Sequence, residues 1–261
     1  MEISFYKYHG AGNDFILVDN RDKTTKLNTD QIAFLCDRHL GIGADGLMLL
    51  ELENGYDFRM VYYNSDGNES TMCGNGGRCI ATFAKDLGII SDTAHFVAID
   101  GRHNARLNSD DSVSLDMIDV NSIELHDQYT TLNTGSPHYI KWVEDVDDID
   151  VFHVGRSIRN EEQFQPGGIN VNFVQRQQHG IRVRTYERGV EDETLSCGTG
   201  VTAAAIAFAG DAIGDFTIPV QTQGGMLEVS FHKDHAGSAR NVVLKEPVKF
   251  VFKGSITIQA T

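Results

Sequence analysis

Along this chain, short stretches in which apolar residues alternate with polar ones, or run together, are bounded by glycine, asparagine and aspartate. Such stretches read as strands, and the first half carries them at 2–8, 14–19, 46–51, 57–63, 94–100 and 112–118. The second half carries them at 128–134, 138–144, 170–175, 181–187, 216–222, 226–231 and 241–245, with a last one at 255–260. Helical spacing is rarer. One helix is predicted over 29–40, opening at Asn28 or Thr29 and closing before Gly41. Two more follow cysteines, one through Ile80-Ala81-Thr82-Phe83-Ala84 to a stop near Gly88, the other from Val201 through Ala203-Ala204-Ala205 to Gly210. The latter is bare of charge from Val201 to Ala209, so it must be covered on nearly all sides. A sheet curled around it would do that.

These segments repeat. Tyr63-Asn64 is followed by Glu69-Ser70-Thr71-Met72-Cys73-Gly74-Asn75-Gly76, and Tyr186-Glu187 by Glu193-Thr194-Leu195-Ser196-Cys197-Gly198-Thr199-Gly200. Upstream, Gly12-Asn13-Asp14-Phe15 and Gly135-Ser136-Pro137-His138 each precede an apolar run. Gly12 lies 61 positions before Cys73, and Gly135 lies 62 before Cys197. Unrelated motifs would rarely share that spacing. The predicted fold is therefore α+β, mixed α/β in content. It consists of two pseudo-symmetric domains, each a mainly antiparallel or mixed sheet curled around a central helix. The halves are expected at 1–118 and 119–252, with a final strand at about 253–261 pairing back into the first.

Composition narrows the partners. The 261 residues suffice for two compact domains, and 41% hydrophobic residues suit an ordered globular chain. With 37 acidic against 22 basic residues the formal charge is −15, so neither nucleic acid nor an anionic membrane surface is an expected partner. The acidic stretch 144–150 reads as a solvated turn. No apolar run approaches the length of a membrane helix, and the N-terminus lacks a basic segment followed by an apolar one, so a cytoplasmic location is expected. The sequence leaves a homodimer open. Four cysteines, at 36, 73, 79 and 197, are few for a disulfide framework and are expected as thiols. No metal is expected, because Cys-x-x-Cys and His-x-x-x-His clusters are missing. No cofactor is expected either: the Gly74-x-Gly76-Gly77 segment lacks the third fingerprint glycine and a P-loop lysine.

The chemistry concentrates at Cys73 and Cys197. Each stands where a loop becomes a helix, where unpaired amides and the helix dipole lower a thiol's pKa and bind a carboxylate. Two such starts from two similar halves would place one sulfur on each face of a substrate held in the cleft between them. Inversion at carbon needs a proton removed from one face and another delivered to the opposite one. Cys36 and Cys79 read instead as small buried hydrophobes.

The residues closely resemble the diaminopimelate epimerase family, through His9-Gly10-Ala11-Gly12-Asn13-Asp14-Phe15, Tyr63-Asn64, Cys73-Gly74-Asn75-Gly76, Pro137-His138, Asn170, Tyr186-Glu187-Arg188-Gly189 and Cys197-Gly198-Thr199-Gly200. The resemblance implies two pseudo-symmetric domains with the site between them. It also implies cofactor-independent interconversion of LL- and meso-2,6-diaminopimelate, on the route to lysine and peptidoglycan. Cys73 and Cys197 would be the acid and base. Gly74, Asn75, Gly198 and Thr199 would hold the reacting carboxylate, while Asn13, Asn64, Asn170, Glu187 and Arg188 would read the remaining amino and carboxylate groups. Ser136 and His138 would stand behind them. Two departures bear on the distal contacts: Ser136 replaces the family's usual Asn, and the loop 189–193 is one residue longer than the common form. The rival readings are a proline or hydroxyproline racemase of the same fold, whose enzymes typically carry His after the first Cys-Gly, and a thiol redox or ligand-binding protein.

Overall fold

A computed structural model describes residues 1–258 of the chain. It comprises two compact units, Met1–Leu115 with the chain from Pro247 onward, and Asp116–Glu246. The second unit begins this early because Met117 donates its N–H to the Val242 carbonyl and Val120 pairs with Ala239. The divide expected at 118/119 thus falls inside a segment already bonded into the second unit.

In the first unit, β1 (Glu2–Gly10) and β2 (Asn13–Asp19) form a hairpin, followed by α1 (Thr29–Cys36), β3 (Gly46–Glu51), β4 (Phe58–Asn64) and β5 (Glu69–Ser70). Then come α2 (Gly74–Asp86), β6 (Thr93–Ala98), β7 (Gly101–Leu107) and β8 (Ser112–Asp116). β2 runs parallel to β3, β3 antiparallel to β4, and β4 pairs with both β5 and, in parallel, β6, from which β7 and β8 continue as a meander.

The second unit repeats this plan. Its elements are β9 (Ile123–Leu125), β10 (Thr130–Asn133), β11 (Pro137–Val143), α3 (Val151–Arg159), β12 (Asn170–Gln177), β13 (Gly180–Glu187), β14 (Asp192–Thr194), α4 (Gly198–Phe208), β15 (Gly214–Thr222), β16 (Gly225–Lys233) and β17 (Arg240–Thr257). β10 pairs with β11, β11 is parallel to β12, β12 antiparallel to β13, and β13 pairs with β14 and, in parallel, β15. β16 and the start of β17 complete the meander. From Val248 onward β17 pairs antiparallel with β1, a place that β9 takes beside β10. The strand read at 255–260 is the end of β17; positions 259–261 lie outside the described residues.

Each sheet has a helix on both faces, and that explains the continuous apolar runs. α4 packs against β10, β11, β12, β13, β15 and β16, so that Val201 and Ala203–Ile206 are fully buried. α2 packs likewise against β1, β2, β3, β4 and β7. On the outer faces α1 covers Ile16, Val18, Leu47 and Leu49, and α3 covers Tyr139, Val171, Phe173 and Tyr186. Because strand side chains alternate, the opposite set faces the central helix: Asn13 and Phe15 on β2, Tyr62 and Asn64 on β4, His138 and Ile140 on β11, Asn170 and Asn172 on β12, Thr185 and Glu187 on β13.

Several elements depart from the sequence reading. The 29–40 helix stops at Cys36, where Asp37 turns extended and its carboxylate accepts the N–H groups of His39 and Leu40. α3 escaped because it is short and interrupted by Gly155, yet a Cβ there would lie 2.4 Å from that of Tyr186. β7, Gly-Arg-His-Asn-Ala-Arg-Leu, is too polar to read as a strand; only Ala105 and Leu107 are buried. The 144–150 stretch does more than solvate a turn, since Asp147 pairs with Arg182 and Asp150 caps α3.

Candidate active site

Cys73 and Cys197 are the N-cap residues of α2 and α4, each with extended backbone and no capping hydrogen bond from its side chain. Their carbonyls accept the first helical bonds, from Gly77 and Val201, both 2.8 Å. Gly74, Asn75 and Gly76, and equally Gly198, Thr199 and Gly200, therefore carry the amides at a helix start that no preceding turn can satisfy. Ordinarily a Ser, Thr, Asp or Asn would occupy the N-cap and turn its oxygen back onto these amides; here the sulfur leaves them to an anion. Cys197 is buried and Cys73 half-buried, whereas Cys36 and Cys79 lie within the packed interior. Burial pushes the Cys36 thiol up to about 12.

Around Cys73, the central-helix face of β2 supplies Asn13. Its Oδ1 accepts the Cys73 Sγ at 3.7 Å and the Asn75 amide at 3.2 Å, and its own Nδ2 donates to Asp45 Oδ2 at 2.6 Å. Asp45 is bonded in turn by Arg38, which also pairs with Asp14. Lys7, buried, meets Asp14 at 2.8 Å. Burial alone would raise the Asp14 carboxyl, but the hydrogen bonds from Arg38 and Lys7 outweigh it and bring it down to about 2. Arg78, fully buried in α2, donates to Asn75 Oδ1 at 2.5 Å. Asn64 ends β4 opposite Gly46, exposed, its backbone closing a turn with Gly67 and Asn68.

Around Cys197, Thr199 Oγ1 lies 3.5 Å from the sulfur, and Thr134 holds the Thr199 carbonyl at 2.8 Å. Asn170 donates to the Ser136 hydroxyl and the Pro137 carbonyl and accepts the Arg188 backbone N–H. The Arg188 guanidinium reaches the Gly167 carbonyl and Ser136 Oγ. Ser136, the departure from the family's pattern, is thus the shared acceptor of Asn170 and Arg188. Glu187 accepts the Thr194 hydroxyl at 2.8 Å. The longer loop after Arg188 is pinned by Glu191 to Arg159 of α3 and by Glu193 to Arg184.

His138 is wholly enclosed. Its Nδ1 faces the Asn172 amide at 3.1 Å, and Asn172 Oδ1 is taken by the Thr185 hydroxyl. Since that amide donates, the ring carries its proton on Nε2. Burial, with the Arg188 cation nearby, lowers the imidazole to about 3, so it stays neutral. Sequence reasoning singled out neither Asn172 nor the supports Asp45, Arg38, Arg78, Thr134 and Thr194; for Asn172 the available signal was a polar residue inside the otherwise apolar β12, and for Arg78 a charged residue on the buried helix α2. Among the described residues no group of three His, Cys, Asp or Glu side chains is placed to hold a metal.

With this geometry in view, the family model described as diaminopimelate epimerase matches residues 5–122 and 130–251. The chain belongs to the diaminopimelate epimerase family. Like other members, it is an enzyme that epimerises amino acids. It is 51% identical to the diaminopimelate epimerase of Flavobacterium psychrophilum over 97% of this chain and 100% of that one. With that of Chlorobaculum tepidum identity is 40%, over 95% and 99%. Among solved structures, the epimerase fold is shared by a Bacillus anthracis phenazine biosynthesis protein of the PhzF family (TM-score 0.75, 14% identity, 99% of this chain and 100% of that one). It is shared too by a hydroxyproline epimerase from Agrobacterium vitis with bound trans-4-hydroxy-L-proline (0.71, 15%, 98% and 92%). These last similarities concern the fold alone.

Proposed function

We propose that this enzyme interconverts LL- and meso-2,6-diaminopimelate without a cofactor, using Cys73 and Cys197 as the acid and base, in the formation of lysine and peptidoglycan precursors. The observation that carries the reading is the duplicated helix start: in each unit a cysteine stands in the N-cap position of a buried helix with the amides of a Gly-x-Gly segment beside it. One thiolate removes the α-proton while the other thiol delivers a proton to the opposite face. The negative charge that develops on the carboxylate is met by Gly74 and Asn75 and by Gly198 and Thr199, whose amides need no reorganisation. Asn13, Asn64, Asn170, Glu187 and Arg188 recognise the remaining amino and carboxylate groups. Arg188 offers a planar fork for a carboxylate, and Glu187 an acceptor for an ammonium. Neutral His138 supports the wall behind Ser136 without adding charge.

The deciding experiment is exchange of the α-hydrogen of LL-diaminopimelate with solvent deuterium by the purified, reduced enzyme, with no cofactor added. Exchange with accumulation of the meso isomer is the expected result. Exchange confined to proline or hydroxyproline would transfer the chain to the racemases that share its fold.

A further inference from the structure

The turn between β10 and β11 is tied to the start of α4, but not by the residue that makes the matching tie in the first unit. By the repeat, Gly12 corresponds to Gly135, so Ala11 stands for Thr134, Asn13 for Ser136, and Asn75, two after Cys73, for Thr199, two after Cys197. In the first unit Asn13 links turn to helix, its Oδ1 accepting the Asn75 amide at 3.2 Å. Ser136 does not repeat this, because its short side chain is engaged elsewhere: the hydroxyl oxygen accepts Asn170 Nδ2 at 2.8 Å and Arg188 Nη2 at 3.3 Å. The link comes instead from two positions earlier. Thr134, 1% exposed, donates its hydroxyl to the Thr199 carbonyl at 2.8 Å, where Ala11 has only a methyl group. The turn itself is braced. Gly135, at a φ of 108°, gives its N–H to Asn133 Oδ1 at 2.9 Å, and Thr134 gives its own to the Ser136 carbonyl at 3.2 Å. A Cβ on Gly135 would lie 3.8 Å from the Thr199 methyl, so turn and helix start are in contact. One short turn thus joins the α4 start, through Thr134, to Asn170 and Arg188, through Ser136.

We propose that Thr134 is a positioning residue whose hydroxyl fixes the spacing between the carboxylate-holding amides of Gly198 and Thr199 and the distal group of Ser136, Asn170 and Arg188, and so makes the enzyme selective for substrate length. The proposal rests on the function proposed above and deepens it. The Thr199 carbonyl belongs to the first turn of α4, where the i+4 helical bond already satisfies it. The Thr134 hydroxyl is therefore not needed to complete the helix; what it adds is the placement of that first turn against the β10–β11 turn. The reacting and distal α-carbons of diaminopimelate are separated by three methylenes. A substrate that must engage both groups at once is discriminated by the distance between them.

The test compares kcat/KM for diaminopimelate with that for its homologues one methylene shorter, 2,5-diaminoadipate, and one longer, 2,7-diaminosuberate, by exchange of the α-hydrogen with solvent deuterium. Wild type is expected to favour diaminopimelate over both by about tenfold or more. Thr134→Val keeps the shape of the side chain and removes the hydroxyl. In it KM for diaminopimelate should rise about three- to tenfold, the worth of one neutral hydrogen bond, with kcat less affected, and the preference over the homologues should shrink by a similar factor. Thr134→Ala removes the same hydroxyl and should shift the preference alike, so the reading does not depend on one variant folding. Thr134→Ser retains the hydroxyl and should hold the preference within about twofold of wild type. A role confined to stability would lower all three substrates together and leave their ratio unchanged. The proposal is overturned by an undiminished preference in both Thr134→Val and Thr134→Ala, by an equal loss on all three substrates, or by a Thr134→Ser enzyme as unselective as Thr134→Val. Wild type that exchanges proline and none of the three would overturn the reading of the function, and the role of Thr134 with it; diaminopimelate exchange with unaltered ratios in the variants would overturn the role of Thr134 alone.

Discussion

At Cys73 and Cys197 a sulfur occupies a position where most helices place an oxygen that caps its own amides. That exchange gives up local stability for a free anion site, a cost that makes sense only if the amides and the sulfur serve a ligand. By the two-thiol mechanism proposed above, replacing either residue with alanine leaves one face of the α-carbon without a proton carrier. Epimerisation should drop by more than about a thousandfold in Cys73→Ala and in Cys197→Ala, measured by conversion of LL to meso substrate. Retained turnover in either variant would remove that thiol from the mechanism. Gly200 shows how close the support lies: a Cβ there would sit 2.3 Å from Asn172 Oδ1, backed by Thr185 and His138. Gly200→Ala should therefore cost about 1–3 kcal/mol by urea denaturation and lower activity together with stability.

Among the elements, the loop between β13 and β14 is the clearest case of position decided by a distant helix. It follows directly on Glu187 and Arg188, and Arg159 from the end of α3 grips Glu191 through Nε and Nη2 at 3.0 and 2.9 Å. An ion pair this close to solvent contributes little to global stability, roughly 0–1 kcal/mol, but it anchors the loop that follows Glu187 and Arg188, the two residues proposed to recognise substrate. Arg159→Ala should raise KM for diaminopimelate about tenfold, with kcat less affected and the melting temperature nearly unchanged. A large fall in melting temperature with unaltered KM would show instead that the pair is structural. The extra residue in this loop becomes intelligible here, since it carries the chain through Glu191 at positive φ and lets that carboxylate reach Arg159.

At the scale of the molecule, the cluster of Lys7, Asp14, Arg38 and Asp45 ties β1, β2 and the segment after α1 together within the first unit. Its pH dependence has a definite sign. The Asp14 carboxyl is lowered from an ordinary value near 4 to about 2, so its contribution is fully present above about pH 4 and is lost as the pH falls through about 2. That contribution amounts to about 2 kcal/mol at neutral pH. Asp14→Asn should lower stability by that order at pH 7 and much less at pH 2, so its urea midpoint should approach that of wild type as acid is added. A difference that stays constant with pH would sink the assignment.

What the order of residues settles by itself is local. The duplicated Glu-Ser/Thr-x-x-Cys-Gly-x-Gly segment, its nearly equal spacing from Gly12 and Gly135, and the charge-free run after Cys197 determine where two buried helices start and which side chains stand at their mouths. Helix starts and strand alternation depend on near neighbours, so they can be read along the chain. The partners of those side chains are another matter. That Asp45 meets Asn13, that Asn172 faces His138, that Arg159 holds the loop after Arg188, and that β17 leaves the second unit to lie beside β1 all follow from strand register and from which face each strand presents. Those are set by packing between segments tens to hundreds of positions apart, and only the folded chain brings them together.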